Sequence, residues 1–421
     1  MGPDNGAGSG NDIGSGSGIA DPSDIEVRNL YKIFGQRPQE VMAQVEAGVS
    51  KEDILDRTGH TVGLDDVTLR IEGAETFVVM GLSGSGKSTF VRCVNRLIDP
   101  TAGQVLIDGA NVVEMDTAEI TALRRTRMSM VFQSFGLLPH RNVVQNVAYG
   151  LRVQGVPKEE RLERAARWIE VVGLQGYERM RPRQLSGGMQ QRVGLARALC
   201  TDPEILLMDE PFSALDPLIR RDMQDELIRL QRDLRKTIVF ITHDLDEALR
   251  LGDHIAILKD GKVVQVGAPI DIITNPANDY VEEFVRDVNR ARVLTAWAAM
   301  EHVTPVDVNT SPDQAAADTT GNGRRIVFVT DGENRYRGYV EVDDMPDAVT
   351  RGDADLSRIL RDNAPTARGD QCLDELLAVS ADSRVPIAVL DDERRLLGEL
   401  TRQRTLSALA GDCELENVTP E

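Results

Sequence analysis

A chain of 421 residues is too long for one ordinary core and implies two or three domains. Its net charge of −20 opposes adventitious binding to nucleic acid or to an anionic lipid surface. No apolar run of about eighteen residues occurs, so no segment is expected to span a bilayer.

From the N-terminus, residues 1–23, rich in Gly, Ser, Asn and Asp, read as a disordered tail that lacks the basic start and apolar core of a secretory signal. Alternating apolar strands and amphipathic helices then run from about residue 24 to 240, the pattern of an α/β domain. Between Phe34 and a strand expected over 66–71 lies an extra piece, Gln36–His60. There Ser50-Lys51-Glu52-Asp53 carries a capping-box signal and Gly59 a helix stop, which predict two short helices.

Phe77–Met80 reads as a buried strand and residues 90–97 as a helix. Between them Gly81-Leu82-Ser83-Gly84-Ser85-Gly86-Lys87-Ser88-Thr89 fits the phosphate-loop pattern in the strand–loop–helix context that the motif requires. Its glycines let backbone N–H groups approach phosphate oxygens, Lys87 adds a positive charge and the helix N-terminus a partial one. Ser88 is placed to ligate Mg²⁺. About a hundred residues on, in Leu185-Ser186-Gly187-Gly188-Met189-Gln190-Gln191-Arg192, Ser186, Gly187 and Gly188 open a helix expected over 189–199, so hydroxyl, amides and dipole form a second anion site. The apolar run Ile205–Met208 then ends in two acids, as a strand buried on both faces does when functional side chains sit at its C-terminal end. Asp209 is read as holding Mg²⁺ through water, and Glu210 as orienting and deprotonating the attacking water. After Ser213-Ala214-Leu215-Asp216, a strand expected over 236–242 delivers His243 to the same sheet edge, where it can contact a terminal phosphate.

Phosphate loop, Gln133 in Val131-Phe132-Gln133-Ser134, the Ser186 segment, Asp209-Glu210, Ser213–Asp216 and His243 stand in the order and spacing of ABC transporter nucleotide-binding subunits, which the chain resembles over roughly residues 24–290. Asn29–Gly35, Asn95–Thr101, Met208–Met223 and the 36–60 insertion resemble, more narrowly, the ATPases of glycine betaine/proline importers. The resemblance implies a phosphate-loop ATPase fold with a helical subdomain at about 134–200, and ATP with Mg²⁺ sandwiched between two copies of the chain. It places Phe34 under adenine, Gln190 and Asp216 among the nucleotide contacts, and the signature of one copy against the γ-phosphate held by the other. Gln133 is implied as a magnesium contact that couples the site, across the helical segment Val144–Gly176, to an integral-membrane permease. A separate extracellular or periplasmic solute-binding protein and a position on the cytoplasmic face of the membrane follow from the same resemblance, with no nucleic-acid partner. Cysteines Cys93, Cys200, Cys372 and Cys413 lack metal spacing and read as the reduced thiols of such a protein. The cargo stays open between glycine betaine or proline and another quaternary amine such as choline or carnitine.

Residues 291–421 form a second region, expected to be α+β, with a linker over 304–322 and an acidic end at 411–421. Pro386–Asp392, Leu396–Thr401 and a helix to Leu409 resemble a CBS module, and Arg325–Val329 with Tyr336–Val342 resembles a second copy. Nucleotide-binding modules of that family pair a hydroxyl with an acid three residues on. Here Gly398 and Thr401 are followed by Arg404, and Asp344 is preceded by Glu341, so neither copy carries a complete site. Arg394, Arg395, Arg402 and Arg404 form the one dense basic group of the region, expected as a membrane contact that salt would screen.

Overall fold

The computed structural model describes residues 22–133, 136–213, 215–286, 288–319 and 324–410. The expected N-terminal tail up to residue 21 and the acidic end 411–421 lie outside them. The chain divides into two compact units, Met1–Arg286 and Asp287–Glu421.

The first unit is built on a six-stranded sheet in the order 262–267, 254–259, 76–80, 237–242, 205–209, 128–131. All its pairings are parallel except that of the edge strand Lys262–Gly267. Thr76–Met80, Ile205–Asp209 and Thr237–Thr242 are buried at every position, which is why their interiors are continuous apolar runs rather than alternating, with polar residues only at the strand ends. A second, antiparallel sheet of four strands contains Ile25–Phe34 and Thr61–Ile71 and shares one core with the first. Phe77 and Phe90 are fully buried in that core, each contributing about 1.5–3 kcal/mol.

The insertion forms the two expected helices, Gln39–Glu46 and Lys51–Thr58, around a small core of Ile33, Val41, Val45, Ile54 and Val62. Only half of the capping box exists. Ser50 Oγ accepts the Asp53 N–H at 3.1 Å, but the Asp53 carboxylate turns to Arg57 at 3.5 Å. Gly59 ends the second helix at φ 70°, as its position predicted. The following strand starts at Thr61, earlier than expected, because Thr61 pairs with Phe34 and pins both ends of the insertion to the sheet.

The helix after the phosphate loop spans Lys87–Val94 rather than 90–97. Gly86 caps it, and the Asn95 side chain accepts the Leu97 N–H at 3.0 Å, which turns the chain away. Helices Val143–Val147, Tyr149–Val153, Lys158–Val171 and Gly187–Leu199 form the helical subdomain around a separate core that includes Val147, Leu151, Ile169 and Val193. Among the described residues no helix is long and apolar enough to cross a membrane.

The second unit is a tandem α+β repeat. Strand Val306–Asp307, helix Pro312–Thr319, strands Ile326–Thr330 and Tyr336–Glu341 and helix Met345–Arg351 make the first copy. Strand Thr366–Arg368, helix Leu373–Asp382, strands Ile387–Leu390 and Leu396–Leu400 and helix Arg402–Ala410 make the second. In both, the first strand runs parallel to the second and the second antiparallel to the third. The linker expected over 304–322 is therefore corrected: most of it is the first strand and helix of the first copy. Its Ala-rich run deceives because small side chains suffice where space is short; Ala315 is fully buried against a core that includes Val327, Val329, Val340 and Met345. Ala315→Asp should consequently destabilise this unit by roughly 2 kcal/mol or more. Urea titration of the full chain checks this, and a linker would show no change.

Candidate nucleotide site

The sheet register sets the site. Met80 pairs with Thr242 and Asp209 with Ile241, so the phosphate loop, Glu210 and His243 leave three neighbouring parallel strands at one edge. Gly81, at φ 149°, leaves room for no side chain, since a Cβ would meet the Leu258 carbonyl. At Gly86, φ 105°, a Cβ would lie 2.6 Å from the Gly63 carbonyl. The loop is thereby pressed against the two strands behind it. Gly261 N–H donates to Ser85 O at 2.9 Å and Ser85 N–H to Leu82 O at 3.1 Å.

Lys87 is almost completely buried, and its Nζ donates to Gly81 O at 2.8 Å and Leu82 O at 3.0 Å. Burial pulls its pKa down, opposed by the charges of Glu210 and Asp209. Ser88 Oγ donates to Asp209 Oδ1 at 2.8 Å, and Arg92 stands 3.3 Å from Asp209 Oδ2. Ser83, Gly84 and Thr89 complete the loop and the first turn of its helix. Ser85 Oγ is buried without a hydrogen-bond partner. An orphaned donor in a cradle of glycines, beside a buried cation, fits phosphate oxygens, and the Ser88–Asp209 pair of hard oxygen donors fits Mg²⁺.

Glu210 leaves its strand with φ 45°, in the left-handed region, while its N–H still donates to Ile241 O at 3.1 Å. This left-handed backbone sets the direction of its side chain. Its Oε2 lies 3.2 Å from His243 Nδ1 and 3.4 Å from Gln133 Nε2. The expected water base, phosphate contact and magnesium contact are thus brought together, and non-glycine strain of this kind is characteristic of functional sites.

Ser186 caps the helix Gly187–Leu199, its Oγ accepting the Met189 N–H at 3.3 Å, so the helix opens two residues before the expected Met189. Gln190 Nε2 donates to Leu185 O at 3.2 Å. Gly188 packs on the next helix, where a Cβ would lie 2.5 Å from Ile219, whereas at Gly187 a Cβ would make only ordinary contact, 4.0 Å from Leu215 Cδ2. Among the described residues no hydrogen bond or ion pair joins these four to the phosphate loop of the same chain. Asp216 caps the helix Pro217–Leu234, accepting the Ile219 N–H at 3.1 Å. Phe34 is exposed and lies against Gly63, with Lys32 Nζ 5.1 Å from its ring centre. Arg92 was passed over in the sequence, although Ser88 and Arg92, four apart, share one helix face.

The second unit carries two related backbone junctions, and a cleft lined by Asp344, Arg358 and Arg361 opens at the first. Arg361 and Tyr339 exchange backbone hydrogen bonds at 2.8 and 2.9 Å, and Glu301 and Glu399 do the same at 2.8 and 2.9 Å. Gly338 and Gly398 allow these approaches. The hairpin tips are likewise reciprocal: Tyr336 N–H donates to Arg394 O at 2.9 Å and Leu396 N–H to Asn334 O at 3.1 Å. At the equivalent positions the charges are inverted. At the first junction Arg361 pairs with Glu341 and, at 2.7 Å, with Asp344; at the second Glu301 lies 3.8 Å from Arg404. Arg404 also donates to Ala299 O at 3.2 Å, and its N–H to Thr401 Oγ1 at 3.1 Å. It is therefore committed to its junction, and the expected basic surface patch loses that member.

Residues 64–213 match the model of the ABC transporter family. The glycine betaine transport ATP-binding protein OpuAA of Bacillus subtilis is 46% identical over 397 residues, covering 94% of this chain and 95% of the relative. The glycine betaine/carnitine transport ATP-binding protein GbuA of Listeria monocytogenes is 47% identical over 393 residues, covering 93% and 98%. Among solved structures, a dimeric bacterial ABC transporter cassette superposes with a TM-score of 0.50 at 34% identity, over 58% of this chain and 98% of the cassette. Motif geometry, sheet topology and identity over nearly the whole length agree: the chain belongs to the ABC transporter family, among the ATP-binding proteins of glycine betaine-type importers.

Proposed function

We propose that the chain is the ATP-hydrolysing subunit of an importer for a compatible solute of the glycine betaine or proline type, working as two copies beneath a membrane permease fed by a solute-binding protein. The convergence of phosphate loop, Asp209, Glu210 and His243 on one sheet edge carries the reading. The relatives' names support the cargo class, and the second one's also supports the neighbouring choice of carnitine. Cargo does not touch this site, so its motifs are the same for either.

Substrate ATP is held by the amides of Gly84–Lys87, by the Lys87 ammonium and by the Ser85 hydroxyl, with Phe34 beneath the base. Ser88, Asp209 and Gln133 would hold Mg²⁺, which would supply neutralisation of the phosphate charge. Glu210 orients a water and takes its proton, while His243 turns from Glu210 to the terminal phosphate. Ser186, Gly187, Gly188 and Gln190, which make no hydrogen bond or ion pair to their own phosphate loop among the described residues, serve the site of the second copy, and Asp216 reaches the interface beside them. Glu210→Gln should retain ATP affinity within about twofold and lose turnover by roughly 10²–10⁴-fold. Equal steady-state rates for variant and parent would remove the base assignment.

The repeat topology and the reciprocal hairpins support reading residues 287–421 as a CBS-type pair that regulates transport. Each junction is spanned by the chain's own ion pair where that family holds ligand, which favours an ionic-strength response over nucleotide binding. Exposed ion pairs are weak and yield to salt. Arg361→Ala combined with Arg404→Ala should lower the internal salt needed for half-maximal transport in vesicles containing the permease. An unmoved salt midpoint would place the sensor elsewhere.

A further inference from the structure

Arg220 stands four residues after Asp216, in the first turn of the helix Pro217–Leu234, and its guanidinium meets two separate segments, Leu215 on one side and the start of the helix Leu245–Leu251 on the other. Its Nη2 donates to Leu215 O at 3.4 Å, its Nη1 donates to Asp244 Oδ2 at 3.1 Å, and its Nε lies 3.6 Å from Glu247 Oε1. The Nε is buried and makes no hydrogen bond, so charge alone holds that side. Glu247 in turn accepts Thr242 Oγ1 at 2.7 Å and Gln224 Nε2 at 3.2 Å, and Thr242 Oγ1 accepts the Asp244 N–H at 3.0 Å. His243 sits between Thr242 and Asp244, both of which this network fixes.

The segment on the other side is tied down from Glu210 onward. Glu210 O accepts Ser213 Oγ at 3.0 Å, and Phe212 O accepts the Leu215 N–H at 3.1 Å. Arg220 holds the far end of that segment by the Leu215 carbonyl. A cavity of about 10 Å³ is lined by Glu210, Ser213, Arg220, His243 and Glu247, so the network abuts the carboxylate–imidazole pair directly. Burial pushes the Glu247 carboxyl up, and the Thr242 hydrogen bond and the Arg220 charge oppose that shift. The guanidinium is thus the counter-charge that lets a buried carboxylate sit behind His243.

We propose that Arg220 is a positioning residue for hydrolysis: by binding the Leu215 carbonyl and the Asp244 carboxylate at once, it locks the backbone at Leu215 to the His243 turn. Movement at Leu215 is then transmitted to the Glu210–His243 pair. The proposal rests on the assignment of water activation to Glu210. Arg220 makes no hydrogen bond or ion pair to the phosphate loop among the contacts described, so its loss should spare ATP binding.

The test uses the full chain and measures steady-state kcat, KM for ATP and thermal unfolding. Arg220→Ala should lower kcat by roughly tenfold or more with KM within about twofold, and Arg220→Lys should recover part of the loss. Asp244→Asn keeps the shape and the helix cap but not the charge, and should give a smaller loss confined to kcat. The double variant should cost less than the product of the two single effects, because both break one link. An unchanged kcat in Arg220→Ala, additive effects, or parallel losses of kcat, KM and unfolding temperature would overturn the proposal. Should Arg220→Ala not fold, a kcat for Asp244→Asn equal to the parent's would also overturn it. Glu210→Gln run alongside separates the failures: full turnover there removes the base, whereas the lock is judged on its own kcat-to-KM split.

Discussion

Parallel pairing of three fully buried strands is the constraint from which the rest of the catalytic unit follows. With Thr76–Met80, Thr237–Thr242 and Ile205–Asp209 adjacent and codirectional, everything that follows them in sequence emerges at one edge. Parallel neighbours demand long crossovers, which is why the phosphate loop, Asp209 and His243 are so far apart in the chain and so close in the fold. A shift of one residue in register would turn each strand's side chains to the opposite face, so burial on both sides fixes the chemistry as firmly as it fixes the core.

On that edge the protein has already incurred the electrostatic cost of the site. A buried ammonium is held on its own loop's carbonyls, a buried carboxylate by one hydroxyl and one guanidinium, and Glu210 by a backbone conformation its residue type disfavours. Such groups are organised before substrate arrives, and little rearrangement is left for the reaction itself. The second unit uses charge differently. Its two junctions are near-copies in backbone and inverted in sign, so one salt condition acts on both pairs at once.

Much of this was legible in the sequence because the informative signals are local. The strand–loop–helix context of Gly81–Thr89, the apolar run ending in Asp209 and Glu210, and the helix stop at Gly59 each reflect a backbone requirement met within a few residues. What was not legible depends on contacts distant in sequence. Nothing near Glu210 announces a left-handed φ, since the strand beside it imposes that turn through Ile241 O. Residues 304–319 read as a linker because burial of Ala315 is a property of the neighbouring strands, not of the Ala-rich run. Arg220 gave no motif at all, because its partners Asp244 and Glu247 lie more than twenty residues further along the chain.

The central claim is that each phosphate loop is completed by the Ser186–Gly188 segment of a second copy, and mixing two inactive chains tests it most directly. Lys87→Ala disables one loop, and Gly187→Asp disables the signature; Gly187 is the position of choice because its Cβ would make only ordinary contact with Leu215, at 4.0 Å, whereas at Gly188 it would strike Ile219. A heterodimer of the two retains one site with both halves intact. The mixture should hydrolyse ATP faster than either variant alone, and the gain should grow with total protein concentration. Turnover no higher than the average of the separate variants, at concentrations where the parent is fully active, would contradict a shared site.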